Sequence, residues 1–506
     1  MRRILVAVAL VLGVVIGVEA APTDVVTQAD LKVLLDRLAK LEAENKAQAA
    51  KIAELEASSK TVAKKVEAAG TAVAKAGAAM DAGTTTNETG RIFTTEKGFK
   101  YYLADKAAGI FEPLSESGLK ITPYGYLVLE GVYSTRQLDG DYTTDVVNPR
   151  SQKRNHTTLS VQDSIFGVQF DTPEPHHGWT FTGRAEFDLV DTGTVDQNHY
   201  GFHWRHLYVN AEHESGWSIL GGQTWHLWKM VTPSEIDGAW MENAGHPYRR
   251  SPQIRVTKKW NWDDSSLEAR VGIVKGGPGM GTDRDSDSIQ DNTASPWVLF
   301  EGALVYDRVA PWQDDNRRWL VGLGGMYGRE RAHRLTGVDG NGDLVFGGDE
   351  DDYNSMMGML AASIPFGKFT LTGQFFAGEN LGGIQAGAGQ RVAYHSFNAI
   401  GNEIRTIGGF IDLGYKLNDD WSFAIGWGCD DPVDSDVEGS LSTDGYSGIL
   451  YNDRAYVAAF YQVTDNFKLG LEYARLLTSY DDVNWGEGKG GDYDADRVQF
   501  SAFYDF

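Results

Sequence analysis

Between Gly222 and Lys259 the chain carries six cationic side chains, Lys229, Arg249, Arg250, Arg255, Lys258 and Lys259, against three acids, Glu235, Asp237 and Glu242. Elsewhere acids dominate: the 506 residues include 46 Lys and Arg but 70 Asp and Glu, a net charge of -24. A cationic island in an acidic chain is a place where anions can be held. Arg suits carboxylates in particular, because its planar guanidinium matches both oxygens at once, whereas Lys offers a point charge. The island begins Gly-Gly-Gln-Thr-Trp-His-Leu-Trp-Lys from Gly221 to Lys229, is too long for a hairpin turn, and has a Trp content that favours an interior over open solvent. The competing reading is a surface loop of locally paired charges.

What positions this stretch is a set of strands. From Trp179 to Leu189 every odd residue is apolar or Gly and every even one polar, the period of a strand with one greasy and one wet face. Leu267, Ala269, Val271 and Ile273 alternate in the same way with Glu268 and Arg270, and Trp421, Phe423, Ile425 and Trp427 with Ser422, Ala424 and Gly426. Between Lys120 and Phe506 sixteen such segments of about ten residues can be placed, joined alternately by tight turns and long connections. The expected fold is therefore all-β: a 16-stranded antiparallel transmembrane β-barrel over 119–506. A soluble all-β protein would leave too many outward Trp, Phe, Tyr and Leu exposed.

The N-terminal part reads differently. Residues 1–20 have the basic, apolar and small-residue zones of a signal peptide. Within 21–80 a heptad seam runs through Leu31, Leu34, Leu38, Leu41, Asn45, Gln48, Ile52, Leu55, Ser59, Val62, Val66 and Ala69, which predicts an α-helical coiled coil and oligomerisation, placed in the periplasm. Residues 81–118 read as linker and lead-in. No later run is apolar enough for a spanning helix, and a single cysteine, Cys429, excludes an internal disulfide framework.

Enzyme motifs are incomplete. Gly322-Leu-Gly324 lacks the third glycine of a dinucleotide turn, and Gly276 to Gly281 lacks the lysine of a phosphate loop. No enzyme activity, resident cofactor or nucleic-acid partner is expected. Asp339, Asn341, Asp343 and Glu350 have the spacing of a Ca2+ loop, but Leu344 stands where the sharp turn needs glycine. A solvated acidic loop facing lipopolysaccharide is the favoured reading there.

Several local motifs carry a resemblance. Ile121-Thr-Pro-Tyr-Gly-Tyr126, Trp204-Arg-His-Leu-Tyr-Val209, Gly222-Gln-Thr-Trp225, Pro233-Ser-Glu-Ile-Asp237 and Arg250-Ser-Pro-Gln-Ile-Arg255 resemble the DcaP-like trimeric outer-membrane porins. His226, Ser251 and Leu207 depart from that pattern, where a small hydroxyl residue, Gln and Ala are usual. The resemblance implies a homotrimer in outer-membrane lipid, a coiled coil ahead of the barrel, and dicarboxylates as solutes. From the residues themselves, Arg249, Arg250 and Arg255 are the expected solute contacts. Arg184 and Arg270 face them by parity, and Arg205 is less secure because it shares a face with Leu207 and Val209. Lys229, Gln223, Trp225 and His226 complete the expected constriction. The alternatives are a sugar or general porin using inward Phe376, Phe410 and Phe460, and a structural tether reaching the cell wall through the coiled coil.

Only association buries the Leu31–Val66 seam. A chain begun at Arg91 is therefore expected to give oligomers that dissociate at lower temperature than the full chain, read by gel mobility after graded heating.

Overall fold

The computed structural model describes residues 91–94, 100–103, 119–136, 138, 146–147, 154–172, 175–190, 201–276, 297–313, 316–338, 344–441, 448–481 and 490–506. The signal segment and the coiled coil expected in 21–80 lie outside the described residues. Within the lead-in, Arg91–Thr94 pairs antiparallel with Lys100–Leu103.

From Lys120 the chain closes an antiparallel barrel of sixteen strands, as expected. In chain order they are β1 Lys120–Ser134, β2 in two pieces, His156–Ser160 and Ile165–Asp171, β3 Trp179–Asp188, β4 His203–His213, β5 Trp217–Trp225 and β6 Arg250–Asn261. There follow β7 Ser265–Lys275, β8 Val298–Val309, β9 Arg318–Val338, β10 Leu344–Phe366 and β11 Phe369–Glu379. The last five are β12 Arg405–Lys416, β13 Trp421–Pro432, β14 Ile449–Thr464, β15 Phe467–Tyr480 and β16 Gly491–Asp505. Both pieces of β2 pair with β1, and β16 pairs with β1 to close the ring, so no edge is left unpaired.

The alternation read from sequence is the alternation of the wall. Leu127, Leu129 and Tyr133 point out while Val128, Glu130, Val132 and Ser134 are buried inside, and Ile425, Trp427, Leu471 and Tyr473 repeat the outward pattern. Tight turns at 214–216, 262–264, 367–368, 417–420 and 465–466 mark one end of the barrel; the long connections, 226–249 and 380–404 among them, leave from the other.

One expectation fails in extent. The period alone ends the ninth strand near residue 330 and begins the tenth near 352, but β9 and β10 run on as a long ladder to Val338 and from Leu344. Arg331 bonds Asp352 at 2.8 Å and Arg334 bonds Asp351 at 2.6 Å, so charges that read as loop are paired across the ladder. Of the calcium positions, Asp339, Asn341 and Asp343 lie outside the described residues, while Leu344 to Glu350 is extended strand rather than a coil around an ion.

The interior is filled from the long connections. Leu227 and Trp228 pack with Val274, Leu299, Phe376 and Leu381, and Val231, Ile236, Met241 and Ala244 pack with Phe410, Ala458 and Ala474. The wall is thin beneath them: a Cβ on Gly324 would meet Trp228, one on Gly428 the Ala244 carbonyl, and one on Gly470 Ile236. Gly245 is more constrained still, with φ +106°, no room for a Cβ beside the Gly409 carbonyl, and its N–H donated to Asp430 at 2.8 Å. Gly245→Ala is expected to destabilise the molecule by on the order of 1–3 kcal/mol, seen as a lower heat-modification temperature with strand content by circular dichroism retained.

Candidate functional site

Segment 226–249 lies against the inner wall because carboxylates there receive it. At its start Glu301 of β8 accepts from the Leu227 N–H at 2.9 Å and the Trp228 indole N–H at 3.1 Å, and meets the His226 ring at 2.5 Å. The Arg270 guanidinium donates to the Leu227 carbonyl at 3.0 Å. Farther along, Ser234 donates to Asp412 at 2.9 Å and the Ile236 N–H to Glu472 at 2.6 Å. Asp237 is bonded by Arg454 at 2.6 Å and by Arg497; Arg454 also bonds Glu472 at 2.9 Å and Glu235 at 3.3 Å. Burial opposes the Asp237 charge, but Arg497 and Arg454 outweigh it and hold this carboxyl below the usual range. Arg454 and Arg497 did not emerge from the sequence reading; each has inward parity on its strand, which was the available signal.

Two local breaks in strand geometry decide which side chains meet beside this segment. Glu186 pairs with His206 and Phe187 with Trp204, so Arg205 is the extra residue of a β-bulge. The bulge turns Arg205 inward despite the outward Leu207 and Val209, onto Glu186 at 2.8 Å and Asp188 at 2.7 Å. On β5, Gly222 has φ +134° and sits against the backbone of Leu207 and Tyr208, a conformation and an approach only glycine permits. Pairing of β4 with β5 stops one residue later, at Leu207 with Gln223. Beyond that point Gln223, Trp225 and Arg250 line an internal cavity, although by parity they belong with the outward Ile219 and Ile254.

The cavity has a volume of about 620 Å³. Arg205, Arg249, Arg250, Trp225 and Trp240 line one side, with Tyr126, Phe460, Phe503 and Lys468 also on its lining. Acids reach it too, and in greater number than the Arg and Lys of the lining: Glu130, Asp163, Asp188, Glu235, Glu242 and Asp505. The wall is therefore mixed, rather than the purely basic surface that the charge count of the island implies. Lys258 and Lys259, counted in that island, lie at the tight-turn end, Lys259 exposed and Lys258 half-buried and donating to the Ser215 carbonyl at 2.5 Å.

The remaining expected residues separate into groups. Arg249 donates to the Gly383 carbonyl at 2.6 Å, and Arg250 lies 4.4 Å from the Trp225 ring centre. Neither is bonded to a carboxylate among the described residues. Lys229 does not line the cavity: it bonds Thr232 at 2.6 Å and sits 4.7 Å from Trp225 and 5.3 Å from Trp240. Arg184, Arg255 and Arg270 face inward but stand apart from the cavity lining; Arg270 is bonded to Glu268 at 2.5 Å, and Arg184 lies 4.9 Å over Tyr124. Gln223 donates to the Trp204 carbonyl at 2.6 Å. His226 is a correction: fully buried between Glu301 and Ser251, it braces the segment and touches no open space. Phe376 and Phe410 are likewise buried under the segment, and Phe460 alone of the expected aromatic track reaches the cavity.

The barrel is closed, and the connections folded into it leave this cavity in its interior. The fold is that of an outer-membrane channel. It is similar to the outer-membrane channel DcaP of Acinetobacter baumannii, with 16% identity over 77% of this chain and 98% of that one and a TM-score of 0.56. OmpT of Vibrio cholerae aligns with 12% identity over 77% and 98% at a TM-score of 0.47, and OmpF of Salmonella typhi with 14% over 77% and 99% at 0.44. No family model and no curated protein sequence matches the chain. The similarity of fold is consistent with the motif resemblance.

Lys229 gives the cavity's neighbourhood a titration. Burial, followed by the charges of Arg250 and Arg205, pushes its ammonium down to about 8, and burial together with the Lys229 charge holds the neighbouring His246 imidazole low, at about 3. The charge is present below that value and lost above it. For barrels in planar bilayers the chloride share of the current is expected to fall between pH 7 and pH 9, and that step should vanish in Lys229→Met.

Proposed function

We propose that the protein is an outer-membrane diffusion channel for small anionic solutes, dicarboxylates among them, with segment 226–249 as its constriction. The observation that carries this reading is the pair Arg249 and Arg250 on the cavity, both without a carboxylate partner among the described residues while Arg205 beside them has two. Fixed cations a few ångströms from a permeating ion act strongly: about 4 kcal/mol at 4 Å for an effective dielectric constant near 20. The acids of the external connections act through water, where screening at physiological salt reaches only about 8 Å. The net charge of the chain is therefore a poor guide to preference; within the cavity Arg205 takes up Asp188, and Arg249 and Arg250 are the cations left to act on a solute. A cavity of this size suits a small organic acid with its water.

The setting that goes with this function is a homotrimer in the outer membrane, its outward aromatics in lipid and lipopolysaccharide and its coiled coil in the periplasm. A sugar channel that uses Phe376, Phe410 and Phe460 as its stacking track is disfavoured by the burial of the first two. Reversal potentials in planar bilayers test the reading: chloride should be preferred over potassium. Arg249→Gln with Arg250→Gln should reduce that preference several-fold, on the scale of one or two removed charges, whereas Arg255→Gln should act weakly. A wild-type pore that prefers potassium at physiological salt would sink it.

A further inference from the structure

Three inward arginines in this region are held in three ways, and the difference has a chemical consequence. Arg205 is fixed through its edge: its N–H groups are taken by Glu186 and Asp188. Arg249 gives one N–H to a backbone carbonyl. Arg250 is fixed through its face, 4.4 Å from the Trp225 ring centre; it lines the cavity, and its Nη1, turned away from open space, has no hydrogen-bond partner among the described residues. Stacking on an indole restrains a guanidinium without using the in-plane donors that bind a carboxylate. A guanidinium that lines a partly dry cavity with a donor left unpartnered gains from a two-oxygen anion that can take its N–H groups. Lys229 lies 4.7 Å from the same indole, so its charge adds to the potential at that point. The aromatic groups Tyr126, Phe460 and Phe503 on the cavity lining limit water around it.

We propose that Arg250 forms a saturable seat for a single carboxylate group in the passage, and that Trp225 is its positioning residue. Trp225 acts through Arg250: it sets where the guanidinium lies and keeps its edge free. The inference rests on the anion-channel reading, but it adds that transport of a carboxylate saturates, whereas flux of an ion held only by mean potential does not. It also makes Trp225 a determinant of solute choice, since a planar two-oxygen head gains from the fork and a spherical anion does not.

The test uses the full-length protein in planar bilayers, with succinate titrated against a fixed potassium chloride background. Wild type should give a succinate-dependent interruption of chloride current that saturates. Trp225→Phe, which keeps a weaker aromatic face, should raise the half-saturating concentration about three-fold, and Trp225→Leu by about ten-fold or more. Arg250→Lys, which keeps the charge and removes the fork, should abolish saturation. A wild-type pore that prefers chloride over potassium yet shows no saturation with succinate overturns the seat and leaves the channel reading standing; a cation-preferring pore removes both. Equal half-saturation in wild type and Trp225→Leu overturns the role of Trp225. Should that variant fail to insert, an unchanged Trp225→Phe together with an Arg250→Lys that still saturates does the same.

Discussion

The interior depends on the carboxylate of Asp237. Shut away from water and alone, it would be an uncompensated buried charge, as would Arg454 and Arg497 if segment 226–249 were absent. Neither half is tolerable without the other, so the segment and the wall are stable only together. Glu472, Glu301 and Asp430 repeat the logic on a smaller scale, each accepting a backbone N–H from the segment or its start. The apolar contacts to Phe376 and Phe410 then fill what the charges have located. What is left open is the space bounded by β14 to β16 and β1 to β6, and the cations of that space are the ones the anchoring network does not neutralise.

Most of the wall was legible because a strand crossing between two media repeats every second residue, and that period survives any detail of packing. All sixteen strands lie where the period puts them. What was not legible came from places where the period is broken. Arg205 sits in a bulge, which changes a residue's face without changing its neighbours in sequence. Trp225 and Arg250 follow the Gly222 bend, after which outward parity becomes inward. The ends of β9 and β10 were missed because Arg331, Arg334, Asp351 and Asp352 read as solvated loop until the register shows them facing each other.

The site was legible as a stretch but not as a set of roles. Charge counting picked out Arg249 and Arg250, yet it gave equal weight to Lys258 and Lys259, which are near in sequence and distant in function. It also missed that Asp237, which lowers the count, is neutralised by Arg454 and Arg497 from strands more than 200 residues away. His226 was misassigned for a related reason: a histidine beside a cation cluster has the composition of a binding residue, and only Glu301, 75 residues on, shows it to be a brace.

The long β9–β10 hairpin bears on how a solute first arrives. Its strands have 21 and 23 residues, whereas a crossing takes about ten. At about 3.3 Å per residue, roughly half of each strand stands clear of the hydrocarbon. Ladder bonds and the Arg331–Asp352 and Arg334–Asp351 pairs stiffen it, so it stands as a braced two-stranded ribbon where an irregular connection of the same length would sweep. A solute entering the proposed channel would meet a fixed surface there and not a moving one.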